Sequence, residues 1–471
     1  MQIRFNGAAR QVTGSCHLLT LNNGFKILLD CGLFQGHGKQ SWLENNKWNF
    51  KPEEIDVVIV SHAHTDHTGR LPQLVRDGFK GRIYSTSATK DLCAIMLLDS
   101  AKIQEKDIEW YNDKLLDKRK KEKKDLEPRV PLYTSEDIEP TMRKFISCPY
   151  EKWIKVNEDV DLFFRDAGHI LGSATVTLRI RENGSEKTIG FTGDIGRPDR
   201  PILKDPIPMP EADYLIMEST YGDRLHESKS DQFDQLLHVI ENTCLKKKGK
   251  LIIPAFSIGR TQEIIYIMDQ MATAGILQKI PVYVDSPLAI NAIPVFTAHP
   301  ECFDKEMHDY MLLDSNPFGF NDLHYTRSVE ESKAINSNRK PAIIISASGM
   351  MIAGRIRHHL FNNVEDPKNT FLMVGYCSPD STGAHLMRQP ETIHLFGEDK
   401  MVRADVVRMD SFSAHADKKE MLDFISNQKG HVEKIMLVHG EYETQKAFKS
   451  ELRHNGFDHI IIPEMNELVW L

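Results

Sequence analysis

The stretch VSHAHTDHTG (residues 60–69) places three histidines and one aspartate within six consecutive positions. It continues an apolar run, VVIV, which predicts a buried β-strand, and it leads through a turn towards a helix. In a loop at a strand end, His62 and His64 can converge on one cation while Asp66 and His67 point to a neighbouring one. Imidazole nitrogens and carboxylate oxygens are the ligands of a borderline-soft ion such as zinc. We therefore predict a metal site on this loop.

Other apolar runs of the sequence also stop at a residue that can bind metal. They end at His169 in DAGHILGS, at Asp194 in FTGDIGR and at His439 in LVHGEY. One aspartate can bridge two cations with its two oxygens and hold them about 3.5–4 Å apart, a spacing suited to in-line hydrolysis. These three residues are the candidates that complete two metal sites. Taken singly, Asp194 as a turn residue and His169 as a loop histidine remain alternatives.

The rhythm of the sequence changes from about residue 223 onward. Short β-branched or aromatic runs such as GKLIIPAF, PAIIISAS and NTFLMVGY alternate there with longer stretches, one of which has helical spacing. This alternation predicts a parallel α/β domain with ligands at the carboxyl ends of its strands. The chain then returns to apolar runs that end at a histidine. We therefore predict one domain, residues 1–222 and 408–471, interrupted by another, residues 223–407.

The composition is that of a globular protein, since 41% of the 471 residues are hydrophobic and 27% are charged. No apolar run approaches the roughly 20 residues of a membrane helix, and the first residues predict a strand rather than a secretory signal. Seven cysteines without a CxxC pair favour a reducing compartment. We expect a cytoplasmic protein without a membrane partner. The net charge of −8 neither favours nor excludes nucleic acid, because a local basic cleft can bind phosphate.

Several motifs follow one another in a fixed order along the chain. SHAHTDHTG matches the HxHxDH signature of the metallo-β-lactamase superfamily, and LLDCG, DAGHILGS and FTGDIGR resemble its other motifs. MESTYGDR, PAFSIGRTQE, SASGMM, SFSAHAD and LVHGEY are similar to segments of the β-CASP nucleases, near the branch of the mRNA 3′-end cleavage factor and its bacterial and archaeal relatives. The resemblance covers essentially the whole chain. It implies an α/β fold in which a metallo-β-lactamase αββα sandwich is interrupted by a parallel α/β β-CASP domain.

The same resemblance implies two zinc ions per chain, with manganese as the alternative metal. The implied ligands are His62, His64, His169 and Asp194 for the first ion, and Asp66, His67, Asp194 and His439 for the second. Asp30 and Glu218 would orient ligating imidazoles, as carboxylates commonly do. Asp66, Glu218 and His415 are the implied catalytic groups, and His415 would protonate the departing 3′ oxygen. The alternatives are that Asp30 caps a turn and that His415 only supports the ligands.

The predicted inserted domain offers contacts for phosphate. The backbone N–H groups of Ser348, Gly349 and Met350 follow the apolar run AIIIS and can form an anion cradle. Arg260, near a helix start, can grip phosphate oxygens with its guanidinium group. Four basic side chains of GRIRHHL either add positive charge or belong to an ordinary amphipathic helix: Arg355, Arg357, His358 and His359.

Two further segments bear on phosphate binding. The basic run DKRKKEKK (residues 117–124) is either a solvated helix face or a phosphate-steering element. In GYCSPDSTGAHL, Ala384 follows Gly383 where the similar segment of relatives often has arginine. This departure argues against a phosphate contact from that loop.

Together the motifs imply a zinc-dependent ribonuclease. His439 favours RNA, because the DNA-repair branch of the family usually has valine there. The resemblance implies attack by metal-bound hydroxide in a cleft between the two domains, with 5′-phosphate and 3′-hydroxyl products and either endonuclease or 5′-exonuclease action. A homodimer is expected from family habit only. The alternatives are a small-molecule hydrolase of the glyoxalase or lactonase type, which would need no inserted domain, and an inactive RNA-binding scaffold, which would have lost ligands.

Overall fold

The computed structural model describes residues 1–36, 38–122, 128–226, 232–375, 377, 380–409 and 413–471. The side chains of the basic run at residues 117–124 lie outside the described part. The chain divides into two compact units: a first unit of Met1–Pro198, Asp205–Leu225 and His415–Leu471, and a second unit of Asp199–Lys204 and His226–Ala414. The domain limits predicted from the sequence stay a prediction.

Strands and helices occur along the whole described part of the chain. The strands are β1 (Gln2–Phe5), β2 (His17–Thr20), β3 (Lys26–Leu29), β4 (Val57–Ile59), β5 (Arg82–Thr86), β6 (Phe145–Cys148), β7 (Trp153–Lys155), β8 (Val160–Asp166), β9 (Ala174–Glu182), β10 (Ser185–Phe191), β11 (Tyr214–Met217), β12 (Lys250–Pro254), β13 (Val282–Val284), β14 (Leu323–Tyr325), β15 (Ala342–Ser346), β16 (Thr370–Met373), β17 (Thr392–Leu395), β18 (Glu398–Met401), β19 (Asp405–Arg408), β20 (Lys434–Leu437), β21 (Ile460–Ile461) and β22 (Leu468–Trp470). The helices are α1 (Lys39–Asn45), α2 (Thr65–Thr68), α3 (Leu71–Arg76), α4 (Ser87–Glu122), α5 (Ile138–Met142), α6 (Gln232–Ile240), α7 (Arg260–Thr273), α8 (Pro287–Ala298), α9 (Lys305–Met311), α10 (Val329–Ser337), α11 (Ile356–Asn363), α12 (Thr382–Met387), α13 (Lys418–Phe424) and α14 (Tyr442–His454). Among the helices described, none is long and apolar enough to cross a membrane.

The first unit contains two seven-stranded sheets, with the orders β22-β1-β2-β3-β4-β5-β6 and β21-β20-β11-β10-β9-β8-β7. Alternate side chains of β1, Ile3 and Phe5, are fully buried because successive residues of a strand point to opposite faces. They share one apolar core with Phe164 and Phe191 of the other sheet. The two sheets therefore pack face to face.

Helices cover the outer faces of this pair of sheets. Helix α4 contacts β5 and β6 of the first sheet. On the second sheet, Ile216 points into the core between the sheets, whereas Leu215 and Met217 pack with Met421 of α13 and Phe448 of α14. Strand β11 is thus buried on both faces, as expected of a central parallel strand. The layers form the expected αββα sandwich, so the predicted fold class is confirmed.

The second unit is a parallel α/β structure. Its six-stranded sheet has the order β14-β13-β15-β12-β16-β19, and every neighbouring pair in it is parallel. Strands β12 and β15, with the sequences KLIIP and AIIIS, are buried along their whole length, as is usual when helices cover both faces of a sheet. Leu360 of α11 packs in one core with Ile344 of β15 and Phe371 of β16. Strands β17 and β18 form a separate antiparallel pair.

Parallel pairing in the first unit brings the ends of particular strands together. In the first sheet, β3 and β4 run in parallel, with Leu29 opposite Ile59. In the second, β11 lies parallel to both β10 and β20. Because the carboxyl ends of parallel strands meet at one edge, the polar residues that follow these strands are held side by side.

Two glycines permit the close approach of loops at that edge. A Cβ atom on Gly32 would lie 1.6 Å from the carbonyl oxygen of Asp66, and one on Gly196 would lie 1.8 Å from the carbonyl oxygen of Gly168. In each case the contacted atom is backbone, which cannot turn aside as a flexible side chain would. A larger residue at either position must displace a loop that carries predicted site residues.

We predict that Gly32→Ala lowers stability by about 3 kcal/mol or more, because the added methyl group overlaps a backbone carbonyl in a packed region. The measurement is the midpoint of thermal unfolding. Gly24→Ala is the matched control, since a Cβ atom there meets nothing within 4 Å and only the positive φ of 90° opposes it, a cost of about 1 kcal/mol. Equal midpoints for the two variants would contradict the prediction.

Candidate metal centre

The loop after β4 supplies four of the predicted ligands. His62 and His64 lie in the loop itself, and the short helix α2 carries Asp66 and His67. The N–H groups of His67 and Thr68 both donate to the carbonyl oxygen of His64, at 3.0 Å. The chain therefore enters the helix directly after His64, so that the loop and the helix each contribute one pair of side chains.

A first cluster consists of His62, His64, His169 and Asp194, whose potential ligand atoms all lie within 4.8 Å of one another. Nδ1 of His64 lies 3.0 Å from Nε2 of His62 and 3.2 Å from Nε2 of His169. Oδ2 of Asp194 lies 3.4 Å from each of those two Nε2 atoms. Four side chains from three separate loops thus present their ligand atoms to one small volume.

A second cluster consists of Asp66, His67 and His439. Nε2 of His439 lies 3.4 Å from Oδ2 of Asp66. The other oxygen of Asp194, Oδ1, lies 3.3 Å from Nε2 of His67 and 3.6 Å from Nε2 of His439. Asp194 therefore turns one oxygen towards each cluster, which is the arrangement of a carboxylate that bridges two cations.

Asp30 orients two of these histidines. It is fully buried, and its carboxylate accepts a hydrogen bond from Nδ1–H of His67 at 2.6 Å. It also accepts from the N–H of Ser61 at 2.8 Å and from the hydroxyl group of Ser61 at 2.9 Å. The Ser61 oxygen in turn lies 3.0 Å from Nδ1 of His62. With Nδ1 engaged in this way, Nε2 of each imidazole is directed at Asp194.

Glu218 occupies the corresponding place on the second sheet. Its side chain is fully buried, and it accepts hydrogen bonds from the backbone N–H of Ile195 and, at 2.6 Å, from the hydroxyl group of Thr220. Nδ1 of His415 lies 3.2 Å from the same carboxylate. The Thr220 oxygen lies 3.0 Å from Nδ1 of His439. Glu218 thus contacts His415 directly and His439 through Thr220.

Burial would lower the pKa of His67, but Asp194 and then Asp30 raise it well above its usual value, so that a cation would have to displace a proton from this ring. The protonation of two other clustered imidazoles suits metal binding directly. Burial, followed by the nearby His67, lowers the pKa of His62 to about 3. Burial likewise lowers the pKa of His64 to about 4, although Asp66 acts in the opposite direction. Both rings are therefore neutral at pH 7 and keep the lone pair that a metal ion requires.

The buried polar atoms also fit a cation. Nε2 of His67 and Oδ1 of Asp194 are buried and lie 3.3 Å apart, yet neither makes a hydrogen bond within the described part of the chain. Buried polar atoms without partners are costly in a folded protein. A cation between the two atoms would satisfy both. The donor set, imidazole nitrogen with carboxylate oxygen, is that of zinc.

His415 lies beside the first cluster. The backbone pairs there with Gly196, and the His415 ring centroid lies 4.6 Å from that of His169. Burial alone would lower the pKa of His415, but Glu218 and then Asp194 raise it to about 9. Nδ1 is 4.0 Å from Oδ2 of Asp194. The geometry places a protonated imidazole next to the clusters, and its catalytic role stays a prediction.

The predicted phosphate contacts lie in the second unit. The N–H groups of Ser348, Gly349 and Met350 make no hydrogen bond within the described residues, as an anion cradle requires. Arg260 is buried, and its guanidinium group pairs with Glu263. All four contacts stay predictions.

The basic side chains of the segment GRIRHHL contact neighbouring residues of the second unit. Arg355 donates to Asp285 at 2.6 Å, and Nε2 of His359 lies 2.7 Å from the other oxygen of that carboxylate. The ring of His358 stacks on Phe396, and the guanidinium carbon of Arg357 lies 4.7 Å from the centroid of the same ring. This arrangement supports the interpretation as an ordinary helix more than that as a phosphate-binding surface.

Two functional positions were missed by the sequence reasoning, namely Ser61 and Thr220. Each carries a hydroxyl group that links a buried carboxylate to a clustered histidine. The available signal was adjacency, because Ser61 directly precedes His62 and Thr220 follows Glu218 by two positions. Serine and threonine are too common in turns for adjacency alone to identify them.

Comparisons with known proteins agree with this arrangement. Residues 9–254 match the model of the metallo-beta-lactamase superfamily, residues 261–386 match the Beta-Casp domain, and residues 399–463 match a Zn-dependent metallo-hydrolase RNA specificity domain. Ribonuclease TTHA0252 of Thermus thermophilus is 35% identical over 96% of this chain and 95% of its own. Transcription termination factor FttA of Methanothermobacter thermautotrophicus is 31% identical over 93% of this chain and 67% of its own. The same factor of Methanocaldococcus jannaschii is 31% identical over 96% of this chain and 69% of its own.

We predict that Asp194→Ala removes most bound metal from both clusters, because the substitution deletes the one carboxylate that faces each of them. The measurement is metal content per chain after purification with zinc and extensive dialysis. Asp423→Ala, on the exposed surface of α13, is the control and should keep the wild-type content. Wild-type metal content in Asp194→Ala would rule out the bridging arrangement.

Proposed function

The chain belongs to the β-CASP ribonuclease family of the metallo-β-lactamase superfamily, and from this premise we propose that it is a zinc-dependent ribonuclease that leaves 5′-phosphate and 3′-hydroxyl ends. The resemblance drawn from the motifs is thereby confirmed. As a metal-dependent RNA hydrolase, the chain is neither the small-molecule hydrolase nor the inactive scaffold considered above. The number of zinc ions, the chemistry of cleavage and the nature of the ends are parts of the proposal.

One observation carries the proposal: the two oxygens of Asp194 face two separate groups of imidazoles. We assign one zinc ion to the first cluster and one to the second, with Asp194 shared between them. When bound, two such ions lower the pKa of a water molecule and stabilise negative charge on a phosphoryl group. RNA as the substrate is supported by the match to an RNA specificity domain and by the relative named as a ribonuclease.

The chain's own residues supply the remaining steps. Asp30 holds the His67 ring, and Ser61 contacts His62, so that Nε2 of each ring faces the site. His415, protonated beside Glu218, is the proposed donor of a proton to the 3′ oxygen that leaves. A general acid, which donates a proton in the transition state, typically raises the reaction rate by roughly 10²–10⁴-fold.

The proposed function is tested with RNA labelled separately at its 5′ and 3′ ends. The zinc-loaded protein should cleave it, a chelator should stop cleavage, and the products should carry 5′-phosphate and 3′-hydroxyl groups. Sizing the two sets of labelled products distinguishes internal cleavage from stepwise 5′ degradation. Absence of cleavage by protein shown to contain metal would overturn the proposal, and 3′-phosphate products would overturn the proposed chemistry.

We predict that His415→Ala lowers the RNA cleavage rate by about 10²-fold or more while keeping most of the bound metal, because the ring is a proton donor rather than a ligand in this proposal. Single-turnover cleavage and metal content are the two measurements. His454→Ala, at the exposed end of α14, is the control. An unimpaired rate would remove His415 from the mechanism, and loss of metal in proportion to the rate would make it a ligand instead.

A further inference from the structure

The hydroxyl group of Thr220 lies between Glu218 and His439, two residues of the candidate metal centre. Its oxygen is 2.6 Å from Oε2 of Glu218 and 3.0 Å from Nδ1 of His439. Glu218 follows β11 and His439 follows β20, and these strands are parallel neighbours with Met217 opposite Leu437. Thr220 thus links the ends of two adjacent strands. No role was predicted for this residue from the sequence.

The direction of the two hydrogen bonds follows from chemistry. A carboxylate can only accept, and Glu218 at 2.6 Å is a nearer acceptor than the carbonyl oxygen of His439 at 3.2 Å, so the hydroxyl group of Thr220 donates its single proton to Glu218. The lone pairs of the Thr220 oxygen are then left to accept from Nδ1–H of His439. For the neutral ring this fixes the tautomer of His439, in which the free lone pair lies on Nε2, at 3.4 Å from Asp66 and 3.6 Å from Asp194. A metal-binding imidazole requires this form, with its other nitrogen donating to a fixed acceptor.

The backbone of His439 adds a reason for such support. Its φ is 50°, a left-handed conformation that is unusual for a residue other than glycine. The N–H of His439 donates to the carbonyl oxygen of Ala8 at 2.8 Å, so the main chain is held at this angle. The imidazole ring then needs its own partner to set its rotation, and Thr220 is the residue placed to provide it.

The same arrangement occurs a second time in the first sheet. There the hydroxyl group of Ser61 donates to Asp30 at 2.9 Å and lies 3.0 Å from Nδ1 of His62. A buried carboxylate, a hydroxyl group and an imidazole are joined in this order in both cases. This repetition on two separate sheets is expected if both histidines need a hydrogen-bond partner at Nδ1 to orient the ring.

We propose that Thr220 is a positioning residue of this metal centre, whose hydroxyl group orients His439 as a ligand and couples it to the carboxylate that holds His415. The inference rests on the proposed function insofar as it assumes a second zinc ion. It goes beyond that function by assigning the orientation of one ligand to a residue that is not itself among the clustered His, Asp and Glu residues. Glu218, which accepts from Thr220 and contacts His415, would carry the coupling.

The test compares Thr220→Val, which keeps the shape of the side chain without the hydroxyl group, with Thr220→Ser, which keeps the hydroxyl group. The full chain is stripped of metal and titrated with zinc against a chelating indicator. Thr220→Val should bind one zinc ion as the wild type does and the other about 10–100-fold more weakly, the usual effect of losing a partner of a ligating histidine. Thr220→Ser should restore wild-type binding of both ions.

Ser219→Ala is the matched control, because the neighbouring hydroxyl group donates to the carbonyl oxygen of Val438 at 2.7 Å and, among the described residues, makes no hydrogen bond to a clustered imidazole. It should lower the thermal midpoint without changing zinc affinity. The proposal is overturned if Thr220→Val binds both ions as tightly as the wild type, if Thr220→Ser is as weak as Thr220→Val, or if Ser219→Ala weakens zinc binding equally.

A second readout separates this proposal from the proposed function. In RNA cleavage at saturating zinc, Thr220→Val should lower kcat more than it raises KM, because Glu218 loses a donor beside His415. Thr220→Ser should again recover the wild-type value. Wild-type protein that binds two zinc ions but does not cleave RNA would overturn the ribonuclease proposal and leave the zinc comparison of the Thr220 variants valid. Wild-type protein that binds one ion would overturn the assignment to Thr220.

Discussion

The structure of the first unit depends on one electrostatic constraint, the burial of Asp194 among four imidazoles. Its Oδ2 atom faces His62 and His169, and its Oδ1 atom faces His67 and His439. Burial would raise the pKa of this carboxyl group, but His439 and the other rings hold it well below its usual value. When the rings are neutral, as metal binding requires, their lone pairs and the carboxylate oxygens would repel one another at these distances, and a bound cation would supply the balancing positive charge. The donor atoms are therefore arranged for a cation, and the surrounding residues serve to keep them so.

The two facing sheets contribute different residues to the surroundings of Asp194. The first sheet ends in Asp30 and the histidine-rich loop, whereas the second ends in Asp194, Glu218 and His439. Each sheet carries its own buried carboxylate that orients its own imidazoles. Because the apolar core joins the sheets, the strand ends that carry the clustered side chains are held at fixed positions relative to each other. Such preorganisation is the main contribution a protein makes to a metal site.

The clustering of these side chains could be predicted because histidine and aspartate at strand ends carry a clear chemical signal. The order of the motifs indicated the fold. Ser61 and Thr220 could not be predicted, since their role depends on rotamers and on neighbours distant in sequence. The pairing of Arg260 with Glu263 was open to prediction, because residues three apart on a helix are neighbours. Arg200 also pairs with Glu263, a contact that spans 63 positions and has no local signature. Likewise, residues 199–204 join the second unit because Leu203 pairs with Phe303, which depends on the tertiary structure alone.

The interrupted path of the chain through the first unit has a consequence for biosynthesis. Strand β1 pairs with β22, and β11 pairs with β20, so both sheets combine segments that precede and that follow residues 226–414 of the second unit. A nascent chain emerges from its amino end, and units fold as they become complete. The second unit is complete before β20 leaves the ribosome. The sheets of the first unit lack β20 and β22 until then, so β11 and β1 each have an unpaired edge. His439 is thus the last of the clustered residues to arrive, and the candidate metal centre would stay incomplete until this segment has been translated.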